Sequence, residues 1–245
     1  MRKRLDLALV ERGLVPSRSR AQDLIKDGKV RVDQKVCTKA SAEVDVLQTL
    51  VLDADAPRGV SRGGMKLAAA LAAFGFDPRG LIALDLGAST GGFTEVLLEG
   101  GAEKVYALDV GHDQLHPRLR RDKRVISLEG CDAREVSRAI VSDPVAAIVA
   151  DMSFISLTKS LGPALALAAP GAWLVALIKP QFEVGRGHIG KGGIVRDAGA
   201  RQAAVETVTA WLAKIPGWRI VKTVPSPIKG GSGNEEFLLG AVHDG

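Results

Sequence analysis

The sequence of 245 residues predicts an α/β fold, in which a doubly wound, mostly parallel sheet of seven strands follows a small α+β domain. Three observations carry this prediction. Apolar runs of strand length alternate with helical stretches through residues 61–245, the first run stops at a glycine-rich turn, and residues 1–60 have short helical and strand patterns of their own. We therefore divide the chain into a small domain with its linker, 1–60, and a large domain, 61–245.

The small domain begins with two short helical patterns, which end at Gly13 and Gly28. The alternating residues 30–32 then predict a strand, which can pair with residues 35–36 across a two-residue turn. Residues 53–59 are small, acidic and Pro/Gly-containing, and predict an exposed linker.

Positive charge is concentrated in this small domain. The whole chain has a net charge of +5, whereas residues 2–39 hold eleven lysines and arginines against five acids. Such a surface either is simply solvated or binds a polyanion, and a compact basic unit suits RNA phosphates. The candidate RNA-binding residues lie off the apolar stripes of the helices or at the domain border: Arg4, Arg18, Arg20, Lys26, Lys29, Arg31 and Arg62.

The cellular compartment is predicted to be the cytoplasm. Cys37 and Cys131 are the only cysteines, so no disulfide framework is present, and the basic N-terminus lacks the apolar segment of a signal peptide. Residues 161–178 carry no charge and have the length of a membrane span, but Pro163 and the Pro170-Gly171 pair interrupt them. We predict a helix to Ala169, a turn and a buried strand there instead.

The most informative segment is the turn after the first large-domain strand, 81–86. Gly87, Gly91 and Gly92 remove side chains where the backbone bends and a ligand comes close, and a helix starts at Phe93. The spacing G-x-x-x-G-G is not that of a dinucleotide fold, and no Lys-Ser/Thr follows as in a phosphate-binding Walker loop. A glycine loop by itself is also compatible with an ordinary tight turn.

Two acidic residues at the ends of the next strands favour a ligand. Asp109 ends the run 105–109, 22 residues after Gly87, where a carboxylate suits the hydroxyls of a ribose. Asp132 follows the run 125–128 and could accept a hydrogen bond from an adenine amino group. The ordered set predicts a cofactor that contains adenosine.

Further charged residues lie where the later strands end or begin. Asp151 follows the run 145–150 and Lys179 follows 172–178, whereas Glu236 opens the last strand, 236–242, after the run 219–224. Lys66 belongs to the helix that opens the large domain. Each residue alone could be an ordinary boundary residue, but ligands of such sheets bind at the carboxyl ends of the strands.

Together these residues resemble the Lys-Asp-Lys-Glu tetrad of FtsJ-like ribose 2′-O-methyltransferases, and the chain is still more similar to the hemolysin A-type (TlyA) rRNA methyltransferases. The matching segments are Ser61–Leu67, Asp151–Leu157, Lys179–Glu183 and Gly233–Phe237. The stretch Ser17–Val32 resembles the S4 RNA-binding domain. The resemblance covers nearly the whole chain and implies a Rossmann-like S-adenosylmethionine (SAM) methyltransferase domain behind an S4-like domain.

The resemblance also implies roles. Lys66, Asp151, Lys179 and Glu236 would be catalytic; Glu236 is preferred to Glu235 because the family's acid directly precedes an aromatic residue. Ribosomal RNA or a ribosomal subunit would be the substrate, and no metal is implied. SAM would be held by Asp85, Gly87, Ser89, Gly91, Gly92, Phe93, Asp109, Asp132 and Asp151.

The role of Lys179 is open at this stage. It could accept the ribose proton as a neutral amine, a form that burial and Lys66 favour and that Asp151 and Glu236 oppose. It could instead stay charged and orient the hydroxyl.

Three other functions are weighed against this one. The complete tetrad disfavours a non-catalytic S4-type RNA-binding protein, and the interrupted apolar run disfavours a pore-forming hemolysin. The glycine spacing disfavours a nicotinamide dehydrogenase.

Overall fold

A computed structural model of the protein describes residues 2–15, 18–53, 60–230 and 233–245, and comprises two compact units, Met1–Arg62 and Gly63–Gly245. Apart from Asp53, the linker predicted at 53–59 lies outside the described residues, as does Ser17 of the S4-like segment.

The first unit contains the two helices and the hairpin that the sequence predicts. The Asp33-Gln34 turn of the hairpin has φ of +46° and +68°, the left-handed pair that suits a two-residue connection. The elements are β1 Arg2–Arg4, α1 Leu5–Glu11, α2 Arg18–Lys26, β2 Val30–Val32, β3 Lys35–Val36, β4 Glu43–Asp45 and β5 Leu50–Leu52. Strands β1 and β4 form one small antiparallel sheet, and β3, β2 and β5 form another, in that order.

A buried carboxylate lies in the core of this unit. Asp6 is fully buried beside apolar residues such as Leu5 and Leu9. Its Oδ2 accepts hydrogen bonds from Arg4 Nη2 at 2.9 Å, from Arg18 Nε at 3.0 Å and from Gln22 Nε2 at 2.8 Å. These donors, Arg4 first, hold the pKa of Asp6 far below its usual range although burial opposes the shift.

The second unit is a seven-stranded sheet with the predicted alternation of strands and helices. The elements are α3 Gly63–Phe74, β6 Ile82–Leu86, α4 Gly92–Glu99, β7 Lys104–Asp109, α5 Pro117–Arg120, β8 Val125–Glu129, β9 Val145–Ala150, α6 Leu157–Ser160, α7 Gly162–Leu165, β10 Ala168–Ile178, α8 Pro180–Glu183, α9 Ala198–Leu212, β11 Trp218–Pro225 and β12 Phe237–His243. The strand order is β11-β12-β10-β9-β6-β7-β8, and within this sheet β12 alone runs antiparallel to its neighbours.

The uncharged segment 161–178 differs in detail from the prediction. The helix ends at Leu165 rather than Ala169, and β10 already begins at Ala168. Pro170 and Gly171 lie inside this strand, where its register with β9 is interrupted between Ala168 and Trp173. The breaker pair is therefore accommodated as an irregularity of the strand, and among the helices that the structure describes none is long and apolar enough to cross a membrane.

Sheet topology brings Asp151, Lys179 and Glu236 to the same end of the strands. Strands β9 and β10 are parallel neighbours, so Asp151 and Lys179, which follow them, lie at the same end of the sheet. Strand β12 runs the other way and pairs Phe237 with Ile178, so Glu236, the residue before Phe237, comes to that end too.

The Asp6 network gives a first prediction. Asp6→Ala should leave two arginines without their shared acceptor and lower the free energy of unfolding of the first unit by about 2 kcal/mol. Hydrogen exchange of the α1 and α2 amides measures this unit separately. Because the pKa of Asp6 is lowered, the same stabilisation is present above its ordinary value near 4 and is lost as the pH falls.

The matched control is Glu11→Ala, which removes an exposed carboxylate paired with Lys3 at 2.5 Å and should change exchange little. Equal protection in the Asp6 and Glu11 variants would contradict the role given to Asp6.

Candidate active site

The glycine turn brings the backbone close to its neighbours at two positions. Gly87 follows β6 with φ of +79°, and a Cβ there would lie 2.8 Å from the carbonyl oxygen of Asp151. Gly91 has φ of +97° directly before α4, and a Cβ there would overlap Leu119. The left-handed backbone and the lack of space both require glycine.

A cavity of about 290 Å³ opens beside this turn. Four of the predicted cofactor residues line it, namely Gly87, Ser89, Asp109 and Asp151. Residues to which the sequence assigned no cofactor role complete the wall: Leu108, Val110, Gln114, Ala133, Met152, Ser153 and Phe154.

The Asp109 carboxylate is held in place by backbone donors. Its Oδ2 accepts from the amide of Ser89 and its Oδ1 from the amide of Gly111, both at 2.8 Å. Each carboxylate oxygen can accept a further hydrogen bond, so a pair of ligand hydroxyls can still bind here. Gln114, which no sequence signal marked, accepts from the Ser89 hydroxyl at 3.1 Å.

Asp85 is fully buried on β6 and does not line the cavity. Its Oδ2 accepts from the Thr94 hydroxyl of α4 at 2.6 Å, which ties strand to helix, whereas its Oδ1 has no hydrogen-bond partner among the described residues. Burial raises the pKa of Asp85 to about 7, against the hydrogen bond from Thr94 and with a contribution from nearby Asp151.

The remaining predicted cofactor residues lie outside the cavity wall. Gly92 is the first residue of α4, and the Phe93 side chain is buried in the protein core. Asp132 is engaged by Arg134, whose Nη2 lies 2.5 Å from Oδ2, and this interaction lowers the pKa of Asp132 to about 2. Ala133, the next residue, does reach the cavity.

The four predicted catalytic residues form two ion pairs. Lys179 Nζ lies 2.7 Å from Asp151 Oδ1 and donates to Ser153 Oγ at 2.8 Å. Lys66 Nζ lies 2.5 Å from Glu236 Oε2. At most 23% of any of these four side chains is exposed, so the opposite charges compensate one another where water is scarce.

The structure separates the two adjacent glutamates. Glu236 is buried against Lys66, whereas half of the Glu235 side chain is exposed and its carboxylate lies 3.1 Å from Arg201. Neighbouring residues of an extended segment point to opposite sides, so Glu236 faces Lys66 whereas Glu235 faces Arg201.

A second cavity, of about 360 Å³, adjoins the first. Lys179 and Glu236 line it, and Ser153 and Phe154 belong to the walls of both cavities. The Asp151–Lys179 ion pair therefore joins the two cavities, with its carboxylate in the first and its amine in the second. The other lining residues are Gln181, Phe182, Ile189, Gly193 and Asn234.

Two residues of the second cavity have features that sequence reasoning missed. The Phe154 side chain is 92% exposed, on a backbone with φ of +65°, and its ring centroid lies 5.3 Å from that of Phe182. A bulky residue in the left-handed region is uncommon and is found at functional sites. Asn234 is buried and bonds the backbone of residues 193 and 195. Both lie within the segments that carried the family resemblance, but position in a motif does not reveal what a side chain contacts.

Glu183 links the two segments that supply Asp151 and Lys179. Its carboxylate accepts from the Ser156 hydroxyl at 2.6 Å and from the Leu157 amide at 2.9 Å. Burial raises the pKa of Glu183, although both hydrogen bonds oppose the shift. This contact fixes the loop after β9 to α8.

The predicted RNA-binding residues of the first unit are mostly ion-paired. Arg4 and Arg18 bind Asp6, and Arg31 binds Asp53. Arg62 lies 3.4 Å from both Asp23 and Asp27, Lys26 is exposed, and Lys29 is half-buried.

The prediction that Arg20 contacts RNA is wrong, because its side chain is only 2% exposed and does not lie on the surface. It precedes Leu24 by four residues on α2 and so shares the helix face that the core buries.

No group of three or more His, Cys, Asp or Glu side chains suited to a metal ion occurs within 2–15, 18–53, 60–230 and 233–245.

The sequence matches two known protein families and is similar to several known proteins. The FtsJ-like methyltransferase model matches residues 59–242, and the S4 domain model matches residues 3–47. The chain is 46% identical to the 16S/23S rRNA (cytidine-2′-O)-methyltransferase TlyA of Mycobacterium tuberculosis, covering 97% of this chain and 89% of that protein. It is 43% identical to hemolysin A of Brachyspira hyodysenteriae, covering 96% and 98%. The solved structure of a putative hemolysin from Streptococcus thermophilus matches with a TM-score of 0.79 and 39% identity, over 99% and 88% of the two chains.

Proposed function

The chain belongs to the hemolysin A-type (TlyA) family of FtsJ-like methyltransferases, and on that premise we propose that it transfers a methyl group from SAM to a ribose 2′-hydroxyl of ribosomal RNA. The observation that carries the proposal is the Lys66–Glu236 and Lys179–Asp151 pairing, at a cavity that adjoins the glycine turn. We further propose that residues 1–60 hold RNA and residues 61–245 carry the chemistry.

The first cavity fits SAM on two counts. Gly87 brings the backbone of the turn to the cavity wall, and Asp109, held by two backbone amides in the same wall, can accept hydrogen bonds from a pair of hydroxyls. When bound, SAM supplies an electrophilic methyl group on a positively charged sulfur. We propose that Gly91, Gly92 and Phe93 shape the turn without lining the cavity, and that Asp132 positions Ala133.

Lys179 is proposed to orient the attacking hydroxyl as an ammonium group. An ammonium has three donors; Ser153 accepts from one of them and Asp151 compensates the charge as an ion-pair partner, which leaves a donor for the ribose 2′-oxygen. Lys66 neutralises Glu236 on the other side, so the cavity receives the hydroxyl without an unpaired charge. Holding the oxygen in line with the methyl carbon contributes most of the rate.

Atoms balance without a deprotonated lysine. SAM would supply the methyl carbon to the ribose oxygen, and its sulfur would keep the electron pair of the carbon–sulfur bond that this transfer breaks. Asp151, whose side chain is 23% exposed, would take the proton that the methylated oxygen loses and pass it on to water.

The aromatic residues support a nucleotide substrate. Phe154 is exposed at the junction of the cavities and contacts Phe182. An exposed aromatic face of this kind suits stacking with a base that has left its helix.

The function is tested by incubating the protein with tritiated-methyl SAM and ribosomal subunits, and then mapping alkali-resistant dinucleotides. Label in such a dinucleotide is the expected result, because a 2′-O-methyl group blocks cleavage of the adjacent phosphodiester. Label on a base would overturn the chemistry given to the tetrad. SAM binding with no label in any RNA would favour the non-catalytic RNA-binding alternative.

Lys179→Ala should lower kcat at least about 100-fold, since orientation and proton handling both depend on this side chain. The dissociation constant for SAM, measured by calorimetry, should stay within about threefold, because Lys179 does not line the first cavity. Lys159→Ala, which removes an exposed lysine of α6, is the matched control.

The pH dependence separates the two roles of Lys179. An orienting ammonium predicts a kcat that is nearly constant between pH 7 and 9, whereas a neutral-amine base predicts a tenfold rise per pH unit. Such a rise in the wild-type enzyme, absent in Lys179→Ala, would replace the orienting role by general base catalysis.

Asp109→Ala should raise the dissociation constant for SAM at least tenfold, because hydrogen bonds to a charged acceptor contribute about 1.5–3 kcal/mol each. Asp113→Ala is the matched control: its carboxylate lies on the same loop, is 87% exposed and binds Arg120. If both variants bind SAM like the wild type, the ribose role of Asp109 is wrong.

A further inference from the structure

The segment 184–196 is positively charged and has no acidic residue. It contains Arg186, Lys191 and Arg196 together with five glycines. All three side chains are exposed, and none makes an ion pair or hydrogen bond among the described residues. Arg4 and Arg31 of the first unit differ, since both are bound to aspartates.

The same segment forms part of the wall of the second cavity. Ile189 and Gly193 line this cavity together with Lys179 and Glu236. Arg186 begins a 3₁₀ turn three residues before Ile189, and Lys191 lies two residues before Gly193. The unpaired charges are therefore carried by residues adjoining the wall of the cavity.

Asn234 holds this segment in place. Its Oδ1 accepts from the Val195 amide at 2.9 Å, and its Nδ2 donates to the Gly193 carbonyl at 2.8 Å. Within the turn, the Gly190 amide donates to the Ile194 carbonyl at 3.0 Å. Because Asn234 is almost completely buried, these bonds exchange little with water and keep the turn beside the cavity.

We propose that residues 184–196 are a phosphate-binding loop, in which Arg186 and Lys191 hold the phosphodiesters on either side of the target ribose. The inference rests on the proposed function. A ribose within an RNA chain has a phosphate on its 3′ oxygen and another on its 5′ oxygen, so a ribose in the second cavity brings two negative charges to the rim. The four catalytic charges cancel in pairs, so the loop supplies the positive charge that attracts those phosphates. Its glycines let the strand approach the backbone closely.

The test is the double variant Arg186→Ala/Lys191→Ala in the full-length chain, assayed for methyl transfer to ribosomal subunits. KM for the subunits should rise about tenfold, while kcat at saturation and the SAM dissociation constant stay within twofold. The slope of log KM against log salt concentration should become shallower by about 1.4, which is about 0.7 for each phosphate of a single strand that the variant no longer neutralises.

Two controls isolate the position of the charge. Lys214→Ala/Lys222→Ala removes the same charge from exposed residues after α9 and on β11, and should leave KM and the slope unchanged. Arg186→Lys/Lys191→Arg keeps the charge and should keep both values.

Three outcomes would overturn the loop assignment: a loop variant with wild-type KM and slope, an equal rise in the Lys214/Lys222 variant, or a reduction confined to kcat. If the wild-type enzyme methylates no ribosomal RNA, the proposed function fails instead. The loop is then judged by equilibrium binding of purified ribosomal RNA, where an unchanged salt slope in the loop variant refutes it and a shallower slope supports it.

Discussion

Four charged side chains that are largely removed from water must neutralise one another, and the rest of the site depends on this requirement. Removing one partner of such a pair leaves a buried charge uncompensated, which lowers the free energy of unfolding far more than the loss of an exposed ion pair does. Strand order meets the requirement. Strand β10 ends just before Lys179, its parallel neighbour β9 ends just before Asp151, and its antiparallel neighbour β12 starts just after Glu236. If β12 ran parallel to β10, Glu236 would lie at the other end of the sheet.

Glycine allows the backbone to approach both cavities. At Gly87 the obstacle to a side chain is the carbonyl oxygen of Asp151, and at Gly230 it is the carboxylate of Glu236 itself. The Gly230 amide donates to the Asn234 carbonyl at 2.9 Å. The buried side chain of Asn234 also hydrogen-bonds the backbone of residues 193 and 195, at the wall of the second cavity. It therefore connects the segment before Glu236 to that wall.

Much of the fold and part of the site could be predicted from the sequence, for physical reasons. Apolar runs that must be buried on both faces locate the seven strands, and charges directly after such runs locate the edge where ligands bind. The ion-pair partners could not be predicted in this way. Whether Lys179 contacts Asp151 or Glu236 depends on how far each side chain reaches across the strands. Arg20 shows the limit for helices, since a long side chain four residues from Leu24 follows the buried face despite its charge. The exposed ring of Phe154 depends on a positive φ that no local pattern announces.

The ion pairs of the first unit alter how its positive charge can be used. A formal excess of cations in residues 2–39 overstates the number of free charges, because Asp6 alone engages both Arg4 and Arg18. A guanidinium has five N–H donors and spends at most two on a carboxylate, so a half-exposed arginine can still bind a phosphate. The aspartate is then a fixed anchor that restricts both arginine side chains, which would lower the entropic cost if this unit binds RNA. A buried acid in a basic domain is therefore compatible with RNA binding, because it orders cations that still have unused donors.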